Sequence, residues 1–350
     1  MIEKVKELMT SKSRKTRTLA TSPSLMLSTG STVLDLSCSG TVAGAIGKGG
    51  YYLFIGDSDS GKTVVGMNVL AEASIKPTFE DYDLVFWDEE GGAKMDLRKF
   101  FGQPLVDRVE FRKDVYVERF YDSVEDKLDA GKPFVGILDS ADALMTEAED
   151  KKAKEQKSQR RRQVKVEGEM TGGQAKLHSR NIRRILNKLI STGSILIYLN
   201  QTRENLGMGS NKTRSGGRAM VFYANLQLWM SQVETLNKSV RGKKRQIGIT
   251  SRAKIRRSRF TGRKRECDFP IYHSYGIDDI GSCIDYLVDE GTWKMRKQTI
   301  ICPEFGVELT KPKLIELVER EGFEFDLKHF VQDTWDAIER ELVLDRKPRY

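Results

Sequence analysis

The chain has 350 residues, of which 39% are hydrophobic and 31% are charged, and its formal net charge is +9. This length suits one large domain with a small second one, and we find neither a membrane-spanning apolar run nor a signal peptide. The four cysteines form no C-x-x-C pair and the three histidines are dispersed, which argues against a metal cluster and favours a reducing compartment.

Positive charge is concentrated in two blocks. Residues 151–165 carry eight Lys and Arg side chains against the single acidic residue Glu155. No acidic residue occurs between Glu234 and Glu266, a stretch rich in Lys and Arg. Two such blocks favour a polyanionic partner, most simply nucleic acid, although a pair of solvated charged loops is the plainer alternative.

Residues 1–24 are predicted to be a helical arm that supports oligomerisation. Apolar residues recur at helical spacing from Ile2 to Met9, and a basic polar linker follows at residues 11–18. A single helix this short is marginal alone, so it must dock on its own domain or on a neighbouring subunit.

The strongest pattern in the chain lies at residues 50–63. Residues 51–55 have the composition of a buried strand, and a helical pattern runs from Lys62 to about residue 75. Between them the phosphate-loop pattern G-x-x-x-x-G-K-[ST] is formed by Gly56, Asp57, Ser58, Asp59, Ser60, Gly61, Lys62 and Thr63. In such a loop, backbone N–H groups surround a phosphate, the lysine contacts the β and γ phosphates, and the threonine ligates Mg²⁺. The pattern therefore predicts binding of a nucleoside triphosphate with Mg²⁺.

Two further predicted strands, at residues 84–88 and 134–139, end in carboxylates. The carboxyl ends of parallel strands are where α/β sheets place ligands. Asp139 fits the Walker B pattern, in which a carboxylate holds Mg²⁺ opposite the loop threonine. One of the carboxylates at 88–90 can polarise the water that attacks the γ-phosphate, and capping of the next segment is an equal alternative.

The remaining elements alternate between strand and helix and then become a run of strands. The predicted order is a strand at 108–111, a helix at 121–130, a basic helix at 177–190, a strand at 194–201, a long polar loop at 202–218, strands near 225–233, 246–254 and 266–272, and a smaller α+β unit at 286–350. This order predicts an α/β fold whose mainly parallel twisted sheet is extended by antiparallel strands.

The assembled order resembles the RecA-type DNA strand-exchange recombinases over roughly residues 25–290. Four segments resemble the family's ATP site: 27–31 with 34–35 before the phosphate loop, 86–90 as the strand whose glutamate activates water, 138–140 as Walker B, and 199–201 as the strand end whose glutamine senses the γ-phosphate. Two resemble its DNA-binding loops, with 167–169 as the start of the first loop and 203–218 as the second. Two resemble its subunit interface, with 219–224 as the helix that crosses the interface and 257–259 as the segment whose two basic residues reach the neighbour's ATP. The two-arginine segment and the short C-terminal unit resemble the phage UvsX-like branch.

The resemblance implies a RecA-like P-loop ATPase core at residues 25–285, with DNA-binding loops at about 151–176 and 202–218, followed by a small C-terminal domain at 286–350. It implies a DNA-dependent ATPase that forms filaments on single-stranded DNA and catalyses homologous pairing and strand exchange. The implied partners are single- and double-stranded DNA, further copies of the chain, and mediator and single-strand-binding proteins, with no membrane. The implied location is cytoplasmic, in the host cytosol if the protein is phage-encoded.

The resemblance also assigns roles to individual residues. Glu90, Lys62 and Gln201 would be catalytic, with Glu89 as the alternative water-activating carboxylate. Residues 56–63 and Asp139 would bind ATP and Mg²⁺, the metal through Thr63 and Asp139, and Arg257 and Arg259 would come from the adjacent subunit. The implied DNA-binding residues are Lys176, Arg180, Arg203, Leu206, Met208, Lys212, Arg214, Gly216, Gly217 and Arg218. Leu206 or Met208 would wedge between bases, or simply pack within the loop.

Two other functions fit the same patterns. One is a hexameric DNA helicase on the same fold, which would form closed rings rather than open filaments. The other is a non-catalytic ATP-binding recombination mediator, which would lack DNA-stimulated ATPase activity.

Overall fold

The structure is a computed structural model that describes residues 23–161, 173–203, 213–214 and 218–347. The predicted arm at residues 1–24 therefore lies outside the described residues, except for its last two. Among the helices that are described, none is both long enough and apolar enough to cross a membrane.

The described elements follow the predicted alternation. The first part of the chain contains β1 (Met26–Leu27), α1 (Thr32–Ser39), β2 (Ile46–Gly47), β3 (Gly50–Gly56), α2 (Lys62–Ile75), β4 (Asp83–Asp88), α3 (Leu97–Phe101), α4 (Gln103–Arg108), β5 (Val109–Arg112), α5 (Val117–Asp129) and β6 (Phe134–Asp139). The second part contains α6 (Glu147–Arg161), α7 (Gly173–Thr192), β7 (Ile195–Arg203), β8 (Thr213–Arg214), α8 (Arg218–Tyr223), β9 (Leu226–Val240), β10 (Lys243–Ser258), β11 (Arg265–Tyr272), β12 (Gly276–Ile277), α9 (Asp279–Asp289), β13 (Lys294–Arg296), β14 (Thr299–Cys302), β15 (Val307–Leu309), α10 (Lys311–Glu321) and α11 (Glu324–Glu341).

One large sheet carries the core, with its strands in the order β12-β11-β10-β9-β3-β7-β6-β4-β5. Neighbours are parallel from β9 to β5 and antiparallel from β9 to β12. The predicted α/β fold, a mainly parallel sheet with an antiparallel extension, is confirmed. The strand that precedes the phosphate loop, β3, lies centrally between β7 and β9.

Helices cover both faces of this sheet, and the side chains of β3 alternate between two hydrophobic cores. Tyr52 and Phe54 pack into the core beneath α1 and α2. Tyr51, Leu53 and Ile55 pack into the opposite core, beneath α5 and α7. Burial on both faces explains why this strand is an unbroken apolar run in the sequence.

The core beneath α5 and α7 contains a buried polar cluster of Tyr121, His178 and Tyr198. The Nδ1 atom of His178 lies 3.1 Å from the Tyr121 hydroxyl, which accepts a hydrogen bond from the Tyr198 hydroxyl at 2.8 Å. Burial lowers the pKa of His178 to about 4. The folded protein therefore keeps this ring neutral at a pH where the unfolded chain would bind a proton.

Stability should consequently fall as the pH drops from about 6.5 towards 4. His178 should account for a loss of about 1.6 kcal/mol in unfolding free energy between pH 6.5 and pH 5, measured by urea denaturation. This part of the pH dependence should be missing in a His178→Gln variant. It should persist in the control His329→Gln, because His329 is exposed. Identical pH dependence in the wild type and His178→Gln would contradict the assignment.

The C-terminal unit combines the three-stranded antiparallel sheet β13–β15 with helices α10 and α11. Its core joins Ile284 and Leu287 of α9 to Leu314 of α10 and Val331 of α11. The predicted boundary between residues 285 and 286 therefore falls inside α9. This helix packs against both α1 and α11.

Two segments that lie outside the predicted helices and strands are regular structure. Residues 151–161, assigned to the first DNA-binding loop, belong to α6, and residues 173–176 begin α7. Residues 234–245 continue β9 and β10 as a hairpin, which turns at Arg241 and Gly242 with φ of 51° and 72°. Both segments are almost entirely polar, so apolar periodicity gives no signal of them.

Candidate functional site

A pocket lies at the carboxyl end of β3, where the phosphate-loop pattern connects this strand to α2. A β-carbon at Gly56 would lie 2.3 Å from the carbonyl oxygen of Met230. Gly61 has a φ of 88°, and a β-carbon there would lie 2.4 Å from Cδ1 of Ile271. Both positions of the pattern therefore require glycine. The strand–loop–helix context that the pattern predicts is present.

Four strand ends supply the pocket walls. Because β3, β4, β6 and β7 are parallel neighbours, their carboxyl ends meet at one edge of the sheet. The pocket is lined by Ser58, Asp59, Ser60, Gly61, Lys62, Thr63, Val64, Glu90, Gly92, Met95, Asp139 and Gln201. The structure thus brings together most of the predicted phosphate loop, Glu90, Asp139 and Gln201.

The Lys62 side chain lies within the loop. Its Nζ atom donates hydrogen bonds to the carbonyl oxygens of Gly56 at 2.8 Å and Asp57 at 2.7 Å. Burial lowers the pKa of Lys62, and nearby carboxylates, that of Asp139 first, oppose this shift. The pocket therefore surrounds one ammonium group with several negative charges.

Thr63 and Asp139 form a pair of oxygen ligands beside Lys62. The Thr63 hydroxyl donates a hydrogen bond to Oδ2 of Asp139 at 2.7 Å. Burial raises the pKa of Asp139 to about 6, and the bond from Thr63 opposes that rise. A hydroxyl and a carboxylate are hard oxygen ligands, so this pair fits Mg²⁺.

The two candidate glutamates have different surroundings. Glu89 is buried, and its carboxylate accepts hydrogen bonds from the backbone N–H groups of residues 114 and 115, at 2.7 and 3.0 Å. Glu90 lies in the pocket, where its Oε1 atom accepts from Nε2 of Gln201 at 2.9 Å and from the Ser140 hydroxyl. Of the two glutamates, Glu90 is the one that lines the pocket.

Arg257 and Arg259 do not line the pocket of their own chain. Arg257 donates to the carbonyl oxygen of Val221 at 3.3 Å, and Arg259 donates to that of Phe222 at 3.0 Å. Both guanidinium groups therefore lie against α8. This is the helix that the sequence resemblance assigns to the subunit interface.

The predicted DNA-binding residues are only partly described. Lys176 and Arg180 are exposed and one helical turn apart on α7. The strands β7 and β8 and helix α8 contain Arg203, Arg214 and Arg218, whose side chains lie outside the described part of the chain. Leu206, Met208, Lys212, Gly216, Gly217 and the segment 167–169 lie outside the described residues altogether.

Several residues at the site were missed by sequence patterns. Ser140 bonds to Glu90, and the backbone N–H of Gln201 donates to Asp142. Both missed residues follow Asp139 closely in the chain, which was a usable signal. Met95 also lines the pocket, and no motif marks it.

Comparisons with known proteins agree with this arrangement. A family model described as the RecA N-terminal domain matches residues 16–278. A Protein RecA from Mycobacterium sp. (strain KMS) is 28% identical over 275 residues, which are 77% of this chain and 71% of the relative. A Protein RecA from Acidothermus cellulolyticus is 27% identical over 278 residues, 78% of this chain and 72% of the relative.

Proposed function

This chain belongs to the RecA family, and on that premise we propose that it is a DNA-dependent ATPase that forms filaments on single-stranded DNA and catalyses homologous pairing and strand exchange. The observation that carries the proposal is the pocket in which Lys62, Thr63, Glu90, Asp139 and Gln201 converge. Family membership supports a function in recombination and strand exchange, and the pocket supplies the chemistry for ATP hydrolysis.

In the proposed mechanism, the phosphate loop binds the ATP phosphates through its backbone N–H groups and the Lys62 ammonium. Thr63 and Asp139 would hold Mg²⁺, which neutralises phosphate charge when it is bound. Glu90 orients the attacking water and accepts its proton. Gln201 lies within hydrogen-bond distance of Glu90. It contacts the γ-phosphate and thereby couples the binding of this phosphate to the second predicted DNA loop.

The charge of the pocket supports a site shared between subunits. Among the residues of one chain that the structure describes, its lining has a single cation, Lys62, against the carboxylates of Asp59, Glu90 and Asp139. A nucleoside triphosphate adds further negative charge to this set. We therefore propose that Arg257 and Arg259 of an adjacent copy complete the site, as arginines supplied in trans do in other phosphoryl-transfer enzymes.

We propose that DNA is held mainly through its phosphates, because a strand-exchange protein must accept any sequence and leave base edges free. Lys176 and Arg180 on α7 are exposed and make no ion pair within the residues that the structure describes. The second predicted loop, with Leu206 or Met208 as a wedge between bases, would complete the DNA path. The loop would be ordered while ATP is bound, and hydrolysis would disorder it and release the DNA.

DNA affinity should depend steeply on salt. If about six phosphates are neutralised per binding unit, the slope of log affinity against log salt should be about −4 for single strands. Replacing Lys176 and Arg180 by Gln should reduce its magnitude by about 1.4, to roughly −3. Fluorescence anisotropy with labelled single-stranded DNA measures this slope.

A matched pair of cations serves as the control. Arg184 and Lys188 lie on the same helix but are paired with Glu125 and Asp129 of α5. Their replacement by Gln should leave the slope unchanged. An affinity that is independent of salt would refute the nucleic-acid proposal. A slope unaltered by the first pair of substitutions would remove Lys176 and Arg180 from the DNA-binding set.

Electron microscopy of the protein with single-stranded DNA and a non-hydrolysable ATP analogue tests the proposal directly. Open helical filaments, together with strand exchange between homologous DNAs, are the expected result. Closed rings with ATP-driven unwinding would favour a hexameric helicase. ATP binding without DNA-stimulated hydrolysis would favour a non-catalytic mediator.

We further propose the phage UvsX-like branch, with the host cytosol as the location and with mediator and single-strand-binding proteins as partners. The support is the segment from Arg257 to Arg259 and the short C-terminal unit. Co-purification of such partners from infected cells would test this finer assignment.

A further inference from the structure

Carboxylates hold the end of β7 from both sides. This strand lies between β3 and β6, and Gln201 is the register partner of Gly56, the last residue of β3. The backbone N–H of Gln201 donates to Oδ2 of Asp142 at 2.8 Å. The hydroxyl of Thr202 donates to Oδ1 of Asp57. We call Asp57, Asp142, Gln201 and Thr202 the strand-end clasp.

We propose that Asp57 and Asp142 are positioning residues that couple ATP binding to DNA binding by fixing the base of the second predicted DNA loop against the phosphate loop. The inference rests on the proposed function. It gives a positioning role to the side chain of Asp57, which has so far been placed only in the phosphate loop, and to Asp142, which has had no role. They act through Gln201 and Thr202, which immediately precede the loop.

Asp57 connects the clasp to the phosphate-binding group. It lies within the phosphate loop, and its carbonyl oxygen accepts hydrogen bonds from Nζ of Lys62 at 2.7 Å and from the N–H of Ser60 at 3.3 Å. Its side chain holds Thr202 at the same time. A shift of Lys62 or of the loop backbone onto a phosphate is therefore passed to Thr202 through one residue.

Asp142 connects the clasp to the Walker B strand and to the first predicted loop. Asp142 lies three residues after Asp139, the proposed metal ligand. The segment that contains Asp142 also accepts hydrogen bonds from the side chain of Gln174. The Gln174 amide donates to the carbonyl oxygens of Ala141 at 2.8 Å and Leu144 at 2.7 Å. Gln174 is the second residue of α7, and this helix begins directly after residues 162–172. One segment thus contacts the bases of both predicted DNA loops.

The size of the expected effect follows from the type of bond. Both clasp contacts end on carboxylates, and hydrogen bonds to charged groups are stronger than neutral ones. Loss of one such bond changes an equilibrium by about tenfold or more. Because coupling is reciprocal, DNA must alter ATP affinity by the same factor by which ATP alters DNA affinity.

The test measures a ratio, namely the Kd for single-stranded DNA without nucleotide divided by the Kd with a non-hydrolysable ATP analogue. Thr202→Val removes the hydroxyl while keeping the side-chain shape, and it should lower this ratio about tenfold. Asp142→Ala should do the same. Thr202→Ser keeps the donor to Asp57 and should retain the wild-type ratio. Asp142→Asn keeps an acceptor but loses its charge, so its ratio should lie between those of the wild type and Asp142→Ala. The reciprocal ratio of nucleotide affinities should fall equally in the two disruptive variants.

A double-substituted protein examines whether Thr202 and Asp57 act through one bond. Asp57→Ala added to Thr202→Val should lower the ratio no further, because both changes remove the same contact. An unchanged ratio in Thr202→Val and Asp142→Ala would overturn the inference, and so would equal losses of affinity with and without nucleotide. If ATP did not change the DNA affinity of the wild-type protein, that result would instead count against the proposed function itself.

Discussion

Replacing Glu90 by Gln should slow DNA-stimulated ATP hydrolysis by about 10²–10³-fold, because an amide cannot accept the proton of the attacking water. The substitution keeps the size of the side chain and leaves Lys62, Thr63 and Asp139 intact. ATP affinity should therefore remain close to that of the wild type. Single-turnover hydrolysis and equilibrium nucleotide binding separate the two effects.

Glu89→Gln is the matched control for this experiment. Glu89 is buried and accepts two backbone hydrogen bonds from the segment after β5. Its substitution should lower the free energy of unfolding by about 1–3 kcal/mol while leaving hydrolysis by the folded protein largely intact. Normal turnover in Glu90→Gln would move the catalytic role to Glu89 or elsewhere, and lost turnover in a well-folded Glu89→Gln would assign it to Glu89.

Replacing Arg257 by Ala should reduce DNA-stimulated hydrolysis at least 10²-fold, because an arginine supplied in trans stabilises the charge of the transition state. The phosphate loop of the same chain should still bind ATP, since Arg257 lies away from its own pocket. Arg256→Ala is a suitable control. Its guanidinium stacks on Trp229 of the same chain, 4.0 Å from the ring centre, so its loss should leave hydrolysis within about twofold.

Mixing two inactive proteins distinguishes an arginine supplied in trans from one needed within its own chain. Arg257→Ala retains Lys62, and Lys62→Ala retains Arg257. In a random equimolar head-to-tail assembly, about a quarter of the interfaces would combine an intact pocket with an intact arginine. Hydrolysis should return to about that fraction of the wild-type rate. A mixture that assembles on DNA yet stays inactive would refute the shared site.

Local sequence was sufficient for the elements that carry the site. The apolar run before Gly56 and the helical pattern after Lys62 correspond to β3 and α2, and the apolar run ending at Asp139 corresponds to β6. Each depends on burial on both faces or on one helical face, which leaves a readable pattern. The convergence of these strand ends then follows from the geometry of a parallel sheet.

Contacts that depend on tertiary register were not predictable in this way. The bond between Asp57 and Thr202 exists because β3 and β7 are aligned so that Gly56 faces Gln201. No spacing rule relates two residues so far apart in the chain. The polar helix α6 and the tip of the hairpin at residues 234–245 were missed for another reason. Their surfaces are exposed on nearly every side, so neither shows an apolar stripe.

The central position of β3 also determines when the nucleotide site can form. This strand is made early in synthesis, but its two sheet partners begin at Ile195 and Leu226. The strand that leads into the phosphate loop therefore has neither β7 nor β9 to pair with until more than half of the chain has left the ribosome. Contacts over such long sequence separations slow folding, because loop closure precedes the energetic gain. Until these distant strands have been made, the unpaired apolar strand can aggregate. Assistance from a chaperone would matter most during this interval.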